Sequence, residues 1–197
     1  LGRWAAMGGA ASTASNGGLP EKHVQKLVKA TGYSAAEVEF LHKRFKALCK
    51  RGQHLSQADI TEDPNLQGNA YVRRLFNVMP KDELGCVRFE TFVATAAKFR
   101  PEAPIDGKLS FIFNLFDYDM SDTLEPEELS DMVRLVKPEL SESERAILVE
   151  QTVRDVLLKG GDMYKDGLIH EKSFVVYAKT LPDIDALVTL SLADHLH

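Results

Sequence analysis

The sequence predicts an all-α fold, and three observations support this prediction. Apolar residues recur at helical spacing from residue 21 onward, and alternation typical of strands is absent. Ser34 with Glu37 and Ser141 with Glu144 form Ser-x-x-Glu capping boxes, which mark helix starts. A helix–loop–helix pattern also recurs along the chain, with glycine- or proline-containing interruptions between the helical segments.

Composition excludes several classes of protein. The chain has 197 residues, 44% of them apolar, and a net charge of -5 with no stripe of Lys and Arg, which argues against a nucleic-acid binder. The cysteines, Cys49 and Cys86, are too few for a disulfide framework and indicate a reduced, intracellular protein. No apolar run approaches the roughly 20 residues of a membrane span. No motif of a hydrolase, metalloprotease or phosphate-binding loop is present, so we predict no enzymatic activity.

Residues 1–20 read as a flexible leader. We interpret residues 1–6, which precede Met7, as a remnant of expression or of the gene model. Removal of Met7 would leave Gly8 first, followed by small residues and Ser12, a pattern that fits N-myristoylation. The alternative is an unmodified leader. A single myristoyl chain gives only reversible membrane contact, so the expected location is the cytoplasm, with peripheral association at a membrane.

The internal repeat is the most informative pattern. In each unit, apolar residues end a helix, an aliphatic residue stands at about the eighth loop position, and an apolar residue follows the loop. The four sets are Phe45, Leu48, Leu55 and Ile60; Phe76, Met79, Val87 and Phe92; Phe113, Phe116, Leu124 and Leu129; and Leu158, Ile169 and Phe174. We predict four EF-hand helix–loop–helix units in two paired lobes, with short β-bridges between the eighth residues of paired loops.

The predicted lobes cover residues 21–100 and 101–181, and the remaining residues 182–197 form a tail. Ile184, Leu187, Val188 and Leu192 fall on one face at helical spacing, which predicts an amphipathic tail helix. Such a helix either caps a groove between the lobes or is docked permanently on the core.

The third loop, from Asp117 to Glu128, has the pattern of a calcium site. Calcium takes six to eight oxygen ligands, which a twelve-residue loop supplies from positions 1, 3, 5, 7, 9 and 12. These positions hold Asp117, Asp119, Ser121, the Thr123 carbonyl, Glu125 through water, and Glu128 as a bidentate ligand. Asp122 replaces the usual glycine at the left-handed sixth position, which weakens binding without abolishing it. We predict about one calcium site, with magnesium as an alternative ion; the other interpretation is a solvated acidic loop.

The other loops lack most ligands. In the fourth loop, Asp162, Asp166 and the Leu168 carbonyl remain as weak candidate metal ligands, and the favoured interpretation is a loop retained only to pair with its neighbour. The first loop is one residue short, and Pro80 opens the second, so neither is expected to bind calcium. Side-chain hydrogen bonds are expected to replace the ion there and to hold the amino-terminal lobe in one conformation.

The stretch PEAPIDGKLSFIFNLFD, within residues 92–133, resembles the calcineurin B and calcineurin B-like family, and the four-unit similarity runs from Ser34 to about Leu187. The resemblance implies two EF-hand lobes around an apolar groove that binds a helix of a protein phosphatase, a protein kinase or an ion exchanger. The carboxyl terminus, LADHLH, departs from the phosphorylation motif of the plant members. Neuronal calcium sensors are the second family considered, but their Cys-Pro signature is absent around Cys49.

Together, these patterns predict a calcium-binding regulatory subunit in signal transduction that binds an amphipathic helix of a partner enzyme or transporter. The alternative is a constitutive adaptor, like a myosin light chain, with little calcium response. Met132 and Val133 are candidates to line the groove, whereas Phe111 and the other phenylalanines that flank the loops are expected to be core residues. Calcium binding through Glu128 distinguishes the two functions.

Overall fold

The computed structural model describes residues 18–64, 66–67, 70–159 and 168–189. Within these residues the chain is mostly helical, so the predicted all-α EF-hand fold is confirmed. The elements are α1 (Glu21–Thr31), α2 (Ala35–Leu48), α3 (Gln57–Thr61), α4 (Ala70–Val78), α5 (Phe89–Ala97), α6 (Ile105–Phe116), β1 (Thr123–Leu124), α7 (Pro126–Val136), α8 (Glu142–Lys159), β2 (Ile169–His170), α9 (Glu171–Ala178) and α10 (Ile184–Leu187). Residues 160–167, which include the first six positions of the fourth loop (162–173), lie outside the described residues.

Both predicted capping boxes are confirmed. The Glu37 backbone N–H donates to the Ser34 hydroxyl at 3.2 Å, and the Ser34 N–H donates back to the Glu37 carboxylate at 2.8 Å. The same reciprocal bonds join Ser141 and Glu144 before α8. Each box satisfies N–H groups at a helix start that have no partner within the helix.

The predicted bridges between the eighth loop residues are also confirmed. Leu55 and Val87 form an isolated antiparallel bridge, with N–H···O distances of 2.9 and 2.8 Å. Leu124 pairs with Ile169 in the two-stranded antiparallel sheet of β1 and β2. All four residues are buried, so each bridge joins two loops at the edge of a hydrophobic cluster.

Among the described residues, the core consists of two hydrophobic clusters, which we call the amino and carboxyl clusters. The amino cluster includes Val24, Leu27, Tyr33, Val38, Leu41, Phe45, Leu55, Ile60, Phe76, Met79, Val87, Phe89 and Val93. The carboxyl cluster includes Leu109, Phe113, Phe116, Leu124, Leu129, Val149, Val156, Ile169, Phe174, Tyr177 and Ala178. One predicted flanking residue was wrong: Leu158 is 75% exposed, and Val156, half a turn earlier on α8, is buried in its place.

The α1 helix packs on the amino cluster and is joined to the segment between α5 and α6. Val24 and Leu27 are buried, and Gly32 ends the helix with a left-handed φ of 73°. The Arg100 guanidinium donates to the Thr31 carbonyl at 2.9 Å and lies 5.0 Å from the centre of the Tyr33 ring. Burial raises the pKa of Tyr33 to about 12. Arg100 therefore connects the end of α1 to the connection between the two clusters.

The tail residues that the structure describes contact the carboxyl cluster. Ile184 and Val188 pack against it, and the helix within the described part of the tail is confined to Ile184–Leu187. Lys108 is fully buried, and its ammonium donates to Asp185 at 2.8 Å and to the Thr189 hydroxyl. Leu192 lies outside the described residues. Among the helices described, none is long and apolar enough to cross a membrane.

Candidate metal site and groove

The third loop connects α6 to α7 and folds around the side chain of Asp117. This carboxylate accepts hydrogen bonds from the Ser121 N–H at 2.9 Å and the Asp122 N–H at 3.1 Å. The chain can turn this tightly because Met120 and Asp122 both take left-handed backbone conformations, with φ of 57° and 62°. Asp122 thus adopts the conformation that usually favours glycine at this position.

Three of the predicted ligands meet in this loop. Asp117, Asp119 and Glu128 each bring a carboxylate oxygen within 4.8 Å of the others. Ligand oxygens lie about 2.3 to 2.6 Å from a calcium ion, so oxygens on opposite sides of it are up to about 5 Å apart. The spacing of the three carboxylates therefore fits one such cation. Asp117 and Glu128 are buried, whereas Asp119 is exposed.

Glu128 is held by backbone hydrogen bonds at both ends of the loop. Its carboxylate accepts from the Tyr118 N–H at 2.7 Å and from the Glu125 N–H at 3.0 Å. Burial raises the pKa of Glu128, and the nearby charges of Asp117 and Asp119 raise it further, against the opposite effect of these hydrogen bonds. A cation between the three carboxylates would remove that repulsion.

The remaining predicted ligands are close to this cluster. The Ser121 hydroxyl donates to the Thr123 carbonyl at 3.2 Å, so two predicted ligand oxygens are neighbours. Thr123 is buried in β1, and Glu125 is exposed immediately before α7. Carboxylate, hydroxyl and carbonyl oxygens are the ligands that calcium prefers, and this set fits calcium. When bound, the ion would neutralise charge and order the loop.

Two other predicted sites are largely outside the described residues. Asp162 and Asp166 of the weak fourth site, and Gly8 of the lipidation site, lie in the undescribed segments. Leu168 is described, and it is 44% exposed just before β2. The weak fourth site and the lipidation of Gly8 therefore stay predictions.

Asp59 closes the first loop by the same kind of backbone hydrogen bonds through which Glu128 closes the third loop. It is only 2% exposed, and its carboxylate accepts from the Lys50 N–H at 3.1 Å and the Ser56 N–H at 2.9 Å. Burial raises the pKa of Asp59, but these hydrogen bonds and one from the Ser56 hydroxyl outweigh it and hold the pKa below its usual value. Asp59 was missed from sequence because the loop is one residue short. The Ser-x-x-Asp capping pattern from Ser56 to Asp59 was the signal that could have identified it.

In the second loop, Asp82 organises the backbone. Its carboxylate accepts from the N–H groups of Leu84 and Cys86, both at 3.0 Å. It also lies 2.8 Å from His54 Nδ1 in the first loop. The hydrogen bond from the Cys86 N–H is the main cause of the lowered pKa of Asp82. The Leu55–Val87 bridge and the Asp82–His54 contact therefore join the first two loops directly.

An open groove of about 2040 Å³ runs between the amino cluster and α6. Its apolar lining includes Leu27, Ile60, Phe76, Ala94, Phe111 and Leu115. The groove also reaches Tyr118 and Asp122 of the third loop.

The sequence-based prediction of the residues that line the groove was partly wrong. Met132 and Val133 pack against the carboxyl cluster and are not part of the groove lining. Phe111, expected in the core, is buried and also lines the groove, where its ring meets Phe99 edge-on with the ring centres 5.3 Å apart. Helical spacing places Met132 and Val133 on an apolar face of α7 but does not show which neighbour covers that face.

Comparison with known proteins finds relatives along most of the chain. The calcineurin B protein of Naegleria gruberi is 29% identical over 178 residues, which cover 88% of this chain and 96% of the relative. The calcineurin B protein of Kluyveromyces lactis is 26% identical over 173 residues, or 87% of this chain and 96% of the relative. No protein-family model matches the chain. The similarity therefore extends across both hydrophobic clusters.

Proposed function

Because this chain belongs to the calcineurin B-like EF-hand family, we propose that it is a calcium-binding regulatory subunit and not an enzyme. Its third loop takes up the ion, and its groove holds an amphipathic helix of a partner protein. The ion acts on the shape of the loop and of the helices that it joins, and takes no part in a reaction.

The observation that carries this proposal is the carboxylate cluster of Asp117, Asp119 and Glu128, whose oxygens lie within 4.8 Å of one another. Two of these residues are buried, and bringing buried like charges together is unfavourable unless a cation or a proton compensates them. The neighbouring oxygens of Ser121 and Thr123 support calcium as that cation, because they extend the set of oxygen ligands. Magnesium is the competing ion.

Calorimetric titration of calcium into the full chain tests the site. We expect about one site with a dissociation constant of micromolar order. Glu128→Gln should abolish this binding because it removes the bidentate carboxylate. Glu127→Gln is the matched control, since Glu127 is the preceding residue on α7 and is exposed. Absence of binding to the wild-type chain at millimolar calcium would contradict the proposal.

For the partner, we propose a helix of a catalytic subunit, with a protein phosphatase as the first candidate. The support is the name of the relatives, which are subunits of calcineurin, and the size and apolar lining of the groove. A protein kinase and an ion exchanger are the other candidates that the family resemblance suggests. Leu115→Glu, inside the groove, should weaken binding of the purified phosphatase catalytic subunit. Leu135→Glu is the control, because Leu135 is 46% exposed and lies outside the groove lining. Equal binding by both variants would exclude the groove as the docking surface.

A constitutive adaptor is the second candidate function. Internal hydrogen bonds to Asp59 and Asp82 favour it, because the first two loops are held without an ion. The two functions differ in their dependence on calcium. The affinity of a regulatory subunit for its partner changes when a chelator removes calcium. An adaptor has the same affinity with and without the chelator.

We also propose a cytoplasmic location with reversible membrane contact through myristoylation of Gly8. The support is the sequence Met7-Gly8 followed by small residues and Ser12. Intact-mass measurement of the protein from its native cell tests this proposal. A mass increase of one myristoyl group that is absent from a Gly8→Ala variant is expected, and an unmodified amino terminus would contradict it.

A further inference from the structure

Arg74 of α4 contacts two elements that surround the metal loop. Its guanidinium donates to Asp131 of α7 at 2.7 Å, and its central carbon lies 3.6 Å from the centre of the Tyr118 ring. The Arg74 and Asp131 side chains are only 21% and 23% exposed. Partly buried charge-assisted hydrogen bonds and stacked guanidinium groups are stronger than exposed ion pairs. We refer to Arg74, Tyr118 and Asp131 as the latch.

Tyr118 connects the latch to the proposed metal ligands. It is the second residue of the loop, and its backbone N–H donates to Glu128 at 2.7 Å. Its hydroxyl donates to the same Asp131 oxygen that Arg74 contacts, at 2.8 Å. Asp131 lies three residues after Glu128 on α7, so it moves with this ligand. Both contacts of Arg74 thus depend on the position of Glu128.

The latch also borders the groove. Arg74 and Tyr118 both belong to its lining, as do Phe76 and Val78 of the same helix as Arg74. The α4 helix packs on the amino cluster through Phe76. Tyr118 and Asp131 are close in sequence to Phe116 and Met132, which belong to the carboxyl cluster or pack against it. The latch therefore joins α4 to the third loop and α7 at the border of the groove.

We infer that Arg74 couples the metal loop to the groove, so that calcium at the third loop fixes α4 against α7 and sets the shape of the docking surface. Without a cation, the carboxylates of Asp117, Asp119 and Glu128 repel one another, and separating them moves Glu128. Tyr118 and Asp131 move with Glu128, which weakens both contacts of Arg74. With the cation, the loop closes and the latch assembles. The inference rests on the proposed function, because it requires calcium to bind this loop.

Thermodynamic reciprocity gives a second consequence. If calcium strengthens the latch, the latch strengthens calcium binding by the same factor. Couplings between sites change affinity by a factor of about 5 to 150. We therefore expect Arg74→Ala to weaken calcium binding at least about fivefold, although Arg74 supplies no ligand. Tyr118→Phe, which removes only the hydroxyl contact with Asp131, should have a smaller effect in the same direction.

Hydrogen exchange of the full chain tests the coupling directly. In the wild-type chain, calcium should slow exchange in Ala70–Val78, and this protection should be lost in Arg74→Ala. A merely structural role of Arg74 would instead raise exchange equally with and without calcium. Arg73→Ala is the matched control for calcium binding and for exchange: Arg73 also lines the groove, but it is exposed and has no hydrogen bond or ion pair among the described residues. It should behave as the wild type.

The outcomes separate this inference from the proposed function. Normal calcium binding by Arg74→Ala and Tyr118→Phe would overturn the coupling and leave the metal site intact. Hydrogen exchange in α4 of the wild-type chain that does not change with calcium would have the same meaning. Absence of calcium binding to the wild-type chain would overturn both. If Arg74→Ala unfolds, Tyr118→Phe decides the question, since it keeps the ring, the ion pair and the packing.

Discussion

Asp59 and Glu128 accept equivalent pairs of hydrogen bonds in two different loops. Each takes one from the second loop residue, Lys50 or Tyr118, and one from the residue that precedes the following helix, Ser56 or Glu125. Glu128 has two further carboxylates within 4.8 Å, whereas the first loop has none at the corresponding positions. The same pair of hydrogen bonds therefore closes the third loop, which has a carboxylate cluster, and the first loop, which lacks one.

Asp59→Ala should destabilise the protein without affecting the metal site. It leaves the N–H groups of Lys50 and Ser56, whose hydrogen bonds are partly buried, without their acceptor, which costs about 2 kcal/mol of the free energy of unfolding. Chemical denaturation of the full chain measures this change. Glu39→Ala on the exposed face of α2 is the control, with an expected effect within about 0.5 kcal/mol. Calcium affinity should stay unchanged, and a loss of calcium binding would contradict the separation of the two loops.

The contribution of Asp59 should also disappear in acid. Its pKa in the folded protein lies below the usual value of 3.8, so the unfolded chain takes up the proton first. The stabilisation is therefore fully present above the unfolded pKa and is lost as pH falls below about 4 through the folded pKa. The difference in unfolding free energy between wild type and Asp59→Asn should shrink over this range. A difference that stays constant or grows on acidification would show that the ionised carboxylate is not stabilised in the fold.

Asp122→Gly should tighten calcium binding. Asp122 has a φ of 62°, where a side chain costs energy that glycine does not. Relief of up to about 1 kcal/mol corresponds to a roughly fivefold gain in affinity. Asp122→Asn is the control, because it removes the same charge and keeps the Cβ atom. Calorimetry should show tighter binding for the glycine variant than for the asparagine variant; the reverse order would mean that the charge of Asp122 matters more than its backbone conformation.

Lys108→Met should loosen the tail while keeping the core. Lys108 is fully buried and donates to Asp185 and Thr189, and methionine retains most of its apolar volume without the charge. Faster hydrogen exchange in Ile184–Leu187 is the expected result. Lys179→Met is the control, because Lys179 pairs with Asp106 at an exposed position. Unchanged exchange in the tail would mean that Ile184 and Val188 hold it by apolar packing alone.

Asp185→Asn examines the same contact from its other side. It leaves a buried ammonium without its countercharge, and an unpaired buried charge destabilises a protein more than removal of both partners. The variant should therefore unfold at a lower temperature than Lys108→Met. The opposite order would indicate that Thr189 or solvent satisfies Lys108.

The local rules of the fold could be predicted from sequence, because they act over a few residues. The Ser34–Glu37 capping box depends only on a three-residue spacing, and the Leu124–Ile169 bridge follows from equivalent positions in paired loops. The three carboxylates of the third loop were predicted for the same reason, since a loop of fixed length brings them together.

Relationships between distant elements could not be predicted in this way. Arg74 and Asp131 are 57 residues apart, and nothing local indicates that they meet. Leu158 and Val156 both fit the apolar pattern of α8, and the packing of α7, α9 and β2 against α8 determines which one is buried. The role of Asp59 was hidden by the missing loop residue, which shifts every ligand position after it.

The short first loop has a consequence for how this protein can evolve. The third loop spans twelve residues and could lose or regain affinity by single substitutions, such as a change at Asp122. The first loop spans eleven residues, 49–59, so recovery of an ion site there requires an insertion as well as new carboxylates. Any intermediate that displaces Asp59 first loses the hydrogen bonds that now close the loop. Recovery of an ion site in the first loop would therefore pass through variants of lower stability.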